Sequence, residues 1–280
     1  MKKVAIQGVA GAYHDIAARG FFKGEDIEII DCLTFKDVFA TIRKDNGILG
    51  IIAIENTIAG NLLQNHNLLR ESDTNIIGEF KLRISHVFAA LPGQTMQDIK
   101  EVHSHPIALM QCEDFLKIHH DWKIVESEDT ALSAKDIHDG QITGRAAICS
   151  KRAADIYSLH VLESGIETNK RNFTRFLIIA DRWTADQYSS PSENNKSSIV
   201  FTTKHEEGTL SQVLSVLSFY HDNLTKIQSM PIIGHEWEYL FFVDLTFEDY
   251  MKYKQSLDAI RPLTKNLRIL GEYKIGHQQV

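Results

Sequence analysis

The run Asn172-Phe173-Thr174-Arg175-Phe176 stands directly ahead of the apolar stretch Leu177-Ile178-Ile179-Ala180. It sets an amide, a hydroxyl and a fixed cation between aromatic rings at the mouth of a buried strand. Such a set can grip a small ring-shaped anion and offer it a proton, because the guanidinium fork matches carboxylate geometry and the hydroxyl donates a hydrogen bond. Taken alone, the run reads equally well as a strand start whose Thr174 and Arg175 face water. Three more polar groups occur where strands end and helices begin. Glu55-Asn56-Thr57 follows the apolar run Ile48 to Ile54; its amide and hydroxyl can hold a carboxylate, and Glu55 can supply a proton if its pKa is raised. Ser104-His105-Pro106 ends a strand and leads into a helix whose first turn suits Pro106. Asp129-Thr130-Ala131 opens a third helix. Helix capping explains each locally. Their recurrence along the chain points to a cleft for a small acid.

Other chemistries are poorly served. Gly8-Val9-Ala10-Gly11-Ala12-Tyr13 follows the first strand and opens a helix, but it lacks both G-x-G-x-x-G spacing and G-K-[ST]. It reads as a tight turn that aims N–H groups and a helix N-terminus at the end of the sheet, where small anions bind. His103 and His105 have no third ligand at a helpful spacing, so a metal is the minor reading for them. The three cysteines (Cys32, Cys112, Cys149) are odd in number and show no C-x-x-C pair, which fits a reducing compartment. A net charge of −7 argues against nucleic-acid and anionic-membrane partners. No stretch approaches the ~20 apolar residues needed to span a bilayer, and the opening Met1-Lys2-Lys3-Val4-Ala5-Ile6-Gln7-Gly8 is too short for a signal peptide. A soluble, cytoplasmic protein is expected.

The elements that must hold these groups alternate. Lys3 to Gln7, Ile27 to Asp31 and Ile48 to Ile54 read as strands, with helices over Tyr13 to Phe22 and Thr34 to Lys44 between them. Further strands are expected at Ile76 to Phe80, Val87 to Leu91, Ile124 to Glu126, Ala146 to Cys149 and Phe176 to Ile179. Helices are expected at Met96 to Val102, Ile107 to His119, Ala131 to His138 and Lys151 to Leu159. Alternation of this kind implies a largely parallel sheet covered on its faces, and the Gly78 region marks an expected crossing between lobes. The polar segment Ser189-Ser190-Pro191-Ser192-Glu193-Asn194-Asn195 reads as linker. Beyond it come a strand (Ser198 to Thr203), a helix (Thr209 to His221), two strands (Leu224 to Met230, Tyr239 to Thr246), a helix (Glu248 to Leu263) and a strand (Leu267 to Lys274). Leu210, Val213, Leu214, Leu217 and Tyr220 share one helix face. The order βαββαβ is ferredoxin-like.

In order and spacing, Gly8 to Tyr13, Ile54-Glu55-Asn56-Thr57, Ser104-His105-Pro106 with Gln111-Cys112, and Asn172 to Phe176 together resemble the prephenate dehydratase family over nearly the whole chain. Gly208-Thr209-Leu210-Ser211 and Asn223-Leu224-Thr225-Lys226-Ile227-Gln228-Ser229-Met230-Pro231 resemble an ACT regulatory domain. The resemblance implies an α/β chain with a two-lobed catalytic domain (1–181) similar to periplasmic binding proteins, a linker (182–196) and an ACT domain (197–280). It implies conversion of prephenate to phenylpyruvate, water and carbon dioxide without metal or organic cofactor, and feedback by phenylalanine. Thr174, Arg175 and Phe176 are then the catalytic candidates, with Glu55, Asn56, Thr57, Ser104, Thr130 and Asn172 binding substrate. Thr174 would hydrogen-bond to the leaving hydroxyl and Arg175 would clamp a carboxylate. The effector would be held by Gly208, Thr209, Leu210 and Ser211, with Asn223 and Leu224 contributed by a second subunit of a homodimer or homotetramer joined through its ACT domains. Since Met1 leads straight into a strand, no chorismate mutase domain is expected ahead of it. His14 stands where the family commonly has a small hydroxyl residue, and Ile107 where it often has Gln. Met230 replaces a usual Arg, and Thr209 with Ser211 alters G-A-L-V. Arogenate as substrate and a non-enzymatic carboxylate sensor are the alternatives; the intact Thr174-Arg175-Phe176 favours an enzyme.

Overall fold

Why the run Val87–Ala90 can be apolar at every position is plain from its surroundings. In this computed structural model, which describes residues 1–188, 190–232, 234, 238–276 and 278–279, β6 (Val87–Ala90) lies inside a five-stranded sheet. Val87 and Ala89 join a cluster with Ala131, Ala134, Ile137 and Ala153, while Phe88 and Ala90 pack on the other face with Ile99, Ala108 and Cys112. A strand covered on both faces has no use for polar alternation.

The chain divides into two compact units, residues 1–62, 80–176 and 278–280 in the first and 63–79 with 177–277 in the second. The first unit contains two lobes. Its first lobe is built from β1 (Lys2–Gln7), α1 (Tyr13–Phe21), β2 (Ile27–Cys32), α2 (Phe35–Lys44), β3 (Leu49–Asn56) and the short β4 (Gly60–Asn61). After α3 (Leu63–Glu71), β5 (Thr74–Arg83) runs from the second unit into the first. The second lobe holds β6, β7 (Glu101–Ser104), α4 (Pro106–Gln111), α5 (Glu113–Ile118), β8 (Lys123–Glu126), α6 (Thr130–Gly140), β9 (Arg145–Cys149), α7 (Lys151–Ile156) and β10 (His160–Ser164). The chain then returns through β11 (Phe173–Asp181). The first sheet runs β16-β5-β11-β3-β1-β2, with β16 at Gln278–Gln279 and β4 on β3; the second runs β10-β6-β9-β7-β8.

Several expectations need correcting. Glu101–Ser104 is a strand parallel to β8 and β9, so the helix expected over Met96 to Val102 shrinks to one 3-10 turn, Met96–Asp98. The Met96, Ile99 and Val102 spacing suggests a helix, but all three contribute to the same buried cluster from a turn and a strand. The helix over Ile107 to His119 is two, broken at Cys112. The second sheet is mixed, because β6 runs antiparallel to both β9 and β10. Gly78 lies within β5; the crossings between lobes are at 84–86 and 165–172.

In the second unit, α8 (Arg182–Tyr188) occupies the beginning of the segment read as linker, and Ser189 lies outside the described residues. Lys196, expected in that linker, opens β12 (Lys196–Thr202) and is buried against Glu79 at 2.8 Å. Then follow α9 (Thr209–Phe219), β13 (Asn223–Pro231), β14 (Tyr239–Thr246), α10 (Tyr250–Ile260) and β15 (Lys265–Tyr273), giving an antiparallel sheet β13-β14-β12-β15. Ile199, Phe201, Val243 and Leu245 face Val213 and Leu217 of α9 and Tyr253, Leu257 and Ile260 of α10. This is the ferredoxin-like arrangement. No helix among the described residues is long and apolar enough to cross a membrane.

Candidate active site

Between the lobes of the first unit lies a cavity of about 160 Å³. Its floor comes from β3 and β11, whose alternation decides which side chains reach it. Thr174 and Phe176 line the cavity, and Arg175 between them does not. Arg175 projects from the other face of β11, where its buried guanidinium meets the half-buried Glu55 at 3.1 Å. The carboxylate clamp expected of Arg175 is therefore an internal ion pair, and Glu55 is its partner; Glu55 does not line the cavity either.

Thr174 is held by Asn56. The Asn56 amide nitrogen donates to Thr174 Oγ1 at 2.9 Å and to Asn172 Oδ1 at 2.7 Å. Asn56 Oδ1 in turn accepts the N–H groups of Ile58 and Ala59 at 2.9 and 2.8 Å, so the tight turn after β3 orients the side chain. Asn172 is fully buried behind this layer and outside the cavity lining. Thr57 staples the return of the chain instead of facing ligand: its hydroxyl donates to Arg171 O and accepts from Phe173 N. Ser104, also fully buried, donates to Ile148 O at 2.6 Å and does not reach the cavity. Thr130 does line it, at the start of α6.

Sequence reasoning left out most of the opposite wall: Tyr13, His86, His105, Gln111 and Asp129. Tyr13, His105, Gln111 and Asp129 stand in runs already singled out but were given no role there, whereas nothing in the local pattern marks His86. His86 Nε2 lies 2.9 Å from Gln111 Oε1 and its Nδ1 lies 2.9 Å from the Tyr13 hydroxyl. Asp129 caps α6 by accepting from Ala131 N and Leu132 N, both at 2.9 Å. Burial pushes its carboxyl up to about 6 despite those bonds. His105 caps α4 through Nδ1, which accepts from Ile107 N at 3.2 Å, and burial holds its pKa down.

His14 is explained by packing. Its Nε2 accepts from Ala53 N at 3.3 Å, and its ring stands edge-on to Phe35 and Phe176 at centroid distances of 5.4 and 5.0 Å. Burial, with His105 nearby, lowers its pKa to about 3, so it sits neutral beside the phenyl rings. Ile107 adds an apolar side chain to the same hollow. Among the described lining residues there is no Lys or Arg, and no group of three His, Cys, Asp or Glu side chains elsewhere among the described residues could hold a metal ion. The donors available to an anion are hydroxyls, side-chain amides, ring N–H groups and backbone N–H groups at helix starts.

A second hollow, of about 420 Å³, borders the start of α9 in the second unit. Gly208, Thr209, Leu210 and Ser211 line it together with Lys204, Glu206 and Tyr239. Gly208 is the left-handed N-cap of α9, with φ 78°. The Thr209 hydroxyl is turned back onto the carbonyls of Lys204 and Glu206. Asn223 and Leu224 lie on β13 outside this pocket.

A two-lobed α/β body with a ring-lined site for a small polar molecule, followed by a ferredoxin-like domain with its own pocket, defines a class: small-molecule enzymes with an attached regulatory domain. The chain belongs to the prephenate dehydratase family, a family of carbon–oxygen lyases: the family model described as prephenate dehydratase matches residues 4–183. It is 34% identical over 288 residues to arogenate dehydratase/prephenate dehydratase 2 of Arabidopsis thaliana, covering 98% of this chain and 73% of the relative. It is 33% identical over 274 residues to the bifunctional chorismate mutase/prephenate dehydratase of Aquifex aeolicus, covering 97% and 73%. The solved prephenate dehydratase of Arthrobacter aurescens in complex with L-Phe shares the fold at a TM-score of 0.85 and 23% identity, over 97% of this chain and 89% of that one. GqqA, described as a novel type of quorum-quenching acylase, superposes with a TM-score of 0.85 at 27% identity over 98% of both chains.

Proposed function

We propose that this chain carries out the decarboxylating dehydration of prephenate to phenylpyruvate and is restrained by phenylalanine at its ACT domain. In the step, the C1–carboxylate bond breaks and its electron pair enters the ring. The C4–oxygen bond breaks as the ring becomes aromatic, and the departing hydroxide takes one proton to leave as water. Aromatisation drives the reaction, so the enzyme must chiefly orient the ring and assist the leaving oxygen. The observation that carries this reading is Thr174: its oxygen accepts from Asn56, which leaves the hydroxyl hydrogen for a ligand held among Phe35, Phe176 and His14. Asn56 and Thr130 remain in the substrate-facing role; Asn172 supports them from behind, and Arg175 with Glu55 braces the two strands.

The likeness to an acylase suggests amide hydrolysis as a competing chemistry. That chemistry needs a nucleophile activated by a base, and among the described residues Thr174 is bonded to an amide donor instead. Arogenate is a closer competitor, because the Arabidopsis relative carries both substrate names. In the ACT domain, Gly208 to Ser211 would receive the carboxylate of phenylalanine at the start of α9, with Asn223 and Leu224 supplied by a second copy in a homo-oligomer. The three cysteines are all buried and unpaired, which supports a cytoplasmic setting. The test is an assay of the purified full chain on prephenate and, separately, on arogenate, with and without phenylalanine. Phenylpyruvate, read by its absorbance in alkali, should form from prephenate and form more slowly when phenylalanine is present. Absence of phenylpyruvate, or turnover confined to arogenate, sinks the proposed substrate.

A further inference from the structure

The polar wall of the cavity has a direction that follows atom by atom from its partners. Asn56 Oδ1 faces two backbone N–H donors, from Ile58 and Ala59, which identifies it as the oxygen and turns Nδ2 toward Thr174. The Gln111 amide lies 3.3 Å from Asn56 Oδ1 and 3.5 Å from Asn172 Oδ1. Both of those atoms are acceptors, so the Gln111 NH₂ must face them and its Oε1 must face His86. An amide oxygen 2.9 Å from a ring nitrogen requires that nitrogen to carry a hydrogen, which makes His86 an Nε2–H donor. On its far side, Nδ1 meets the Tyr13 hydroxyl at 2.9 Å, and that hydroxyl is also 2.7 Å from Ser85 O. A neutral His86 accepts there from Tyr13. A protonated His86 donates to Tyr13, which then donates to Ser85 O. Nε2–H toward Gln111 is common to both states.

We propose that Tyr13 and His86 are positioning residues, Tyr13 anchoring His86 and His86 heading a one-way hydrogen-bond chain, His86–Gln111–Asn56–Thr174, so that Thr174 always offers its proton outward. Its catalytic consequence rests on the dehydration proposed above. His86, Gln111 and Asn56 are all buried, where a reversed amide would set like atoms against each other without water to repair the mismatch. The chain also crosses the molecule usefully. Asn56 and Thr174 belong to the first lobe, Gln111 to the second, and His86 to the crossing segment 84–86, where its own N–H is fixed by the buried Glu167 carboxylate at 3.0 Å. Without His86, Gln111 Oε1 loses its buried donor, and nothing holds the amide in place behind Asn56 Oδ1.

Two measurements on the full chain test this. The first needs no substrate: a long-range ¹H–¹⁵N spectrum of ¹⁵N-histidine-labelled protein, with His86 assigned by the signals lost in His86→Gln. The expected pattern is a protonated Nε2; a bare Nε2 with the hydrogen on Nδ1 overturns the chain. The second is steady-state kinetics with prephenate. Tyr13→Phe should lower kcat about 10-fold and His86→Leu about 10²-fold, each with KM within about twofold of wild type. His86→Gln, whose amide can still donate to Gln111, should recover about 10-fold over His86→Leu. A loss confined to KM, or no recovery by His86→Gln, overturns the positioning role. If His86→Leu fails to fold, Tyr13→Phe and the spectrum still decide between the two outcomes. Should wild-type protein leave prephenate untouched, the functional reading falls, while the spectrum judges the chain by itself.

Discussion

The cavity beneath Thr174 and the pocket beside α9 are both hollows of small-molecule size, made from opposite materials. The first is walled by buried amides, rings and hydroxyls whose hydrogen bonds leave each little freedom to turn. The second is walled by the exposed loop 204–208 and by exposed Glu238 and Tyr239, and its charged groups of both signs face solvent. Rigid, desolvated donors are what a transition state demands, since they need no reorganisation as charge develops. A loop that can adjust is enough for recognising an effector, provided the adjusted state differs in activity from the empty one. The contrast separates a place for chemistry from a place for reporting concentration.

The largest way to break this contrast is at Thr174. Thr174→Ala should fold with an unchanged thermal midpoint yet lose about 10²–10³ in kcat, the usual consequence of removing one well-aimed donor. Thr174→Ser, which keeps the oxygen for Asn56, should recover most of that loss. Near-wild-type turnover by Thr174→Ala would show that the ordered wall serves packing alone.

How far the sequence reveals this wall depends on how local each contribution is. Asn56 and Thr174 are legible because they stand at strand ends beside apolar runs, and the ferredoxin-like half is legible because its helix and strand periods are clean. Arg175 lies outside the cavity lining because β11 begins at Phe173 and not at Phe176. With the strand begun three residues earlier, period-two alternation sends Arg175 away from Thr174 and Phe176. His86 is a different case. Its partners lie 73 and 25 residues away along the chain, and no local pattern encodes a pairing that exists only when two lobes come together. The strand Glu101–Ser104 escapes because its buried positions continue a helical spacing begun by Met96 and Ile99.

A middle-sized effect sharpens the comparison by asking what the ordered wall costs in stability. Asp129 is buried, and its folded pKa of about 6 lies above the ordinary 3.8. A carboxyl whose pKa rises on folding holds its proton more tightly in the native state. Its contribution to stability is therefore greatest below the unfolded value and is lost as pH climbs from near 4 through about 6. A rise of that size corresponds to about 3 kcal/mol. Asn caps helices as well as Asp does, so Asp129→Asn should raise stability near neutral pH by up to ~3 kcal/mol and change little near pH 3. Urea unfolding at both pH values reads this directly, and an Asp129→Asn protein that is less stable at neutrality would show that the carboxylate is an asset there.

The smallest effect belongs to the other hollow. Gly208 holds φ 78° at the start of α9, and a Cβ built on it would meet nothing within 4 Å. Space is thus no obstacle to a side chain, and only the left-handed backbone is. An ordinary L-residue in that conformation costs about 1–2 kcal/mol, which the loop can shed by rotating the peptide and moving the N–H groups that would face an effector. Gly208→Ala should then weaken phenylalanine binding by up to about 10-fold, equivalent to ~1.4 kcal/mol, with turnover in the absence of phenylalanine unchanged. Gly208→Asn, a larger side chain that tolerates this conformation, should bind more tightly than Gly208→Ala. Calorimetric titration of both with phenylalanine distinguishes the causes: an affinity that falls with side-chain size would mean crowding, whereas Asn outperforming Ala assigns the effect to backbone geometry. A drop in basal turnover for either variant would dissolve the division of labour between the two hollows, because a residue placed for recognition alone has no part in the empty enzyme's chemistry.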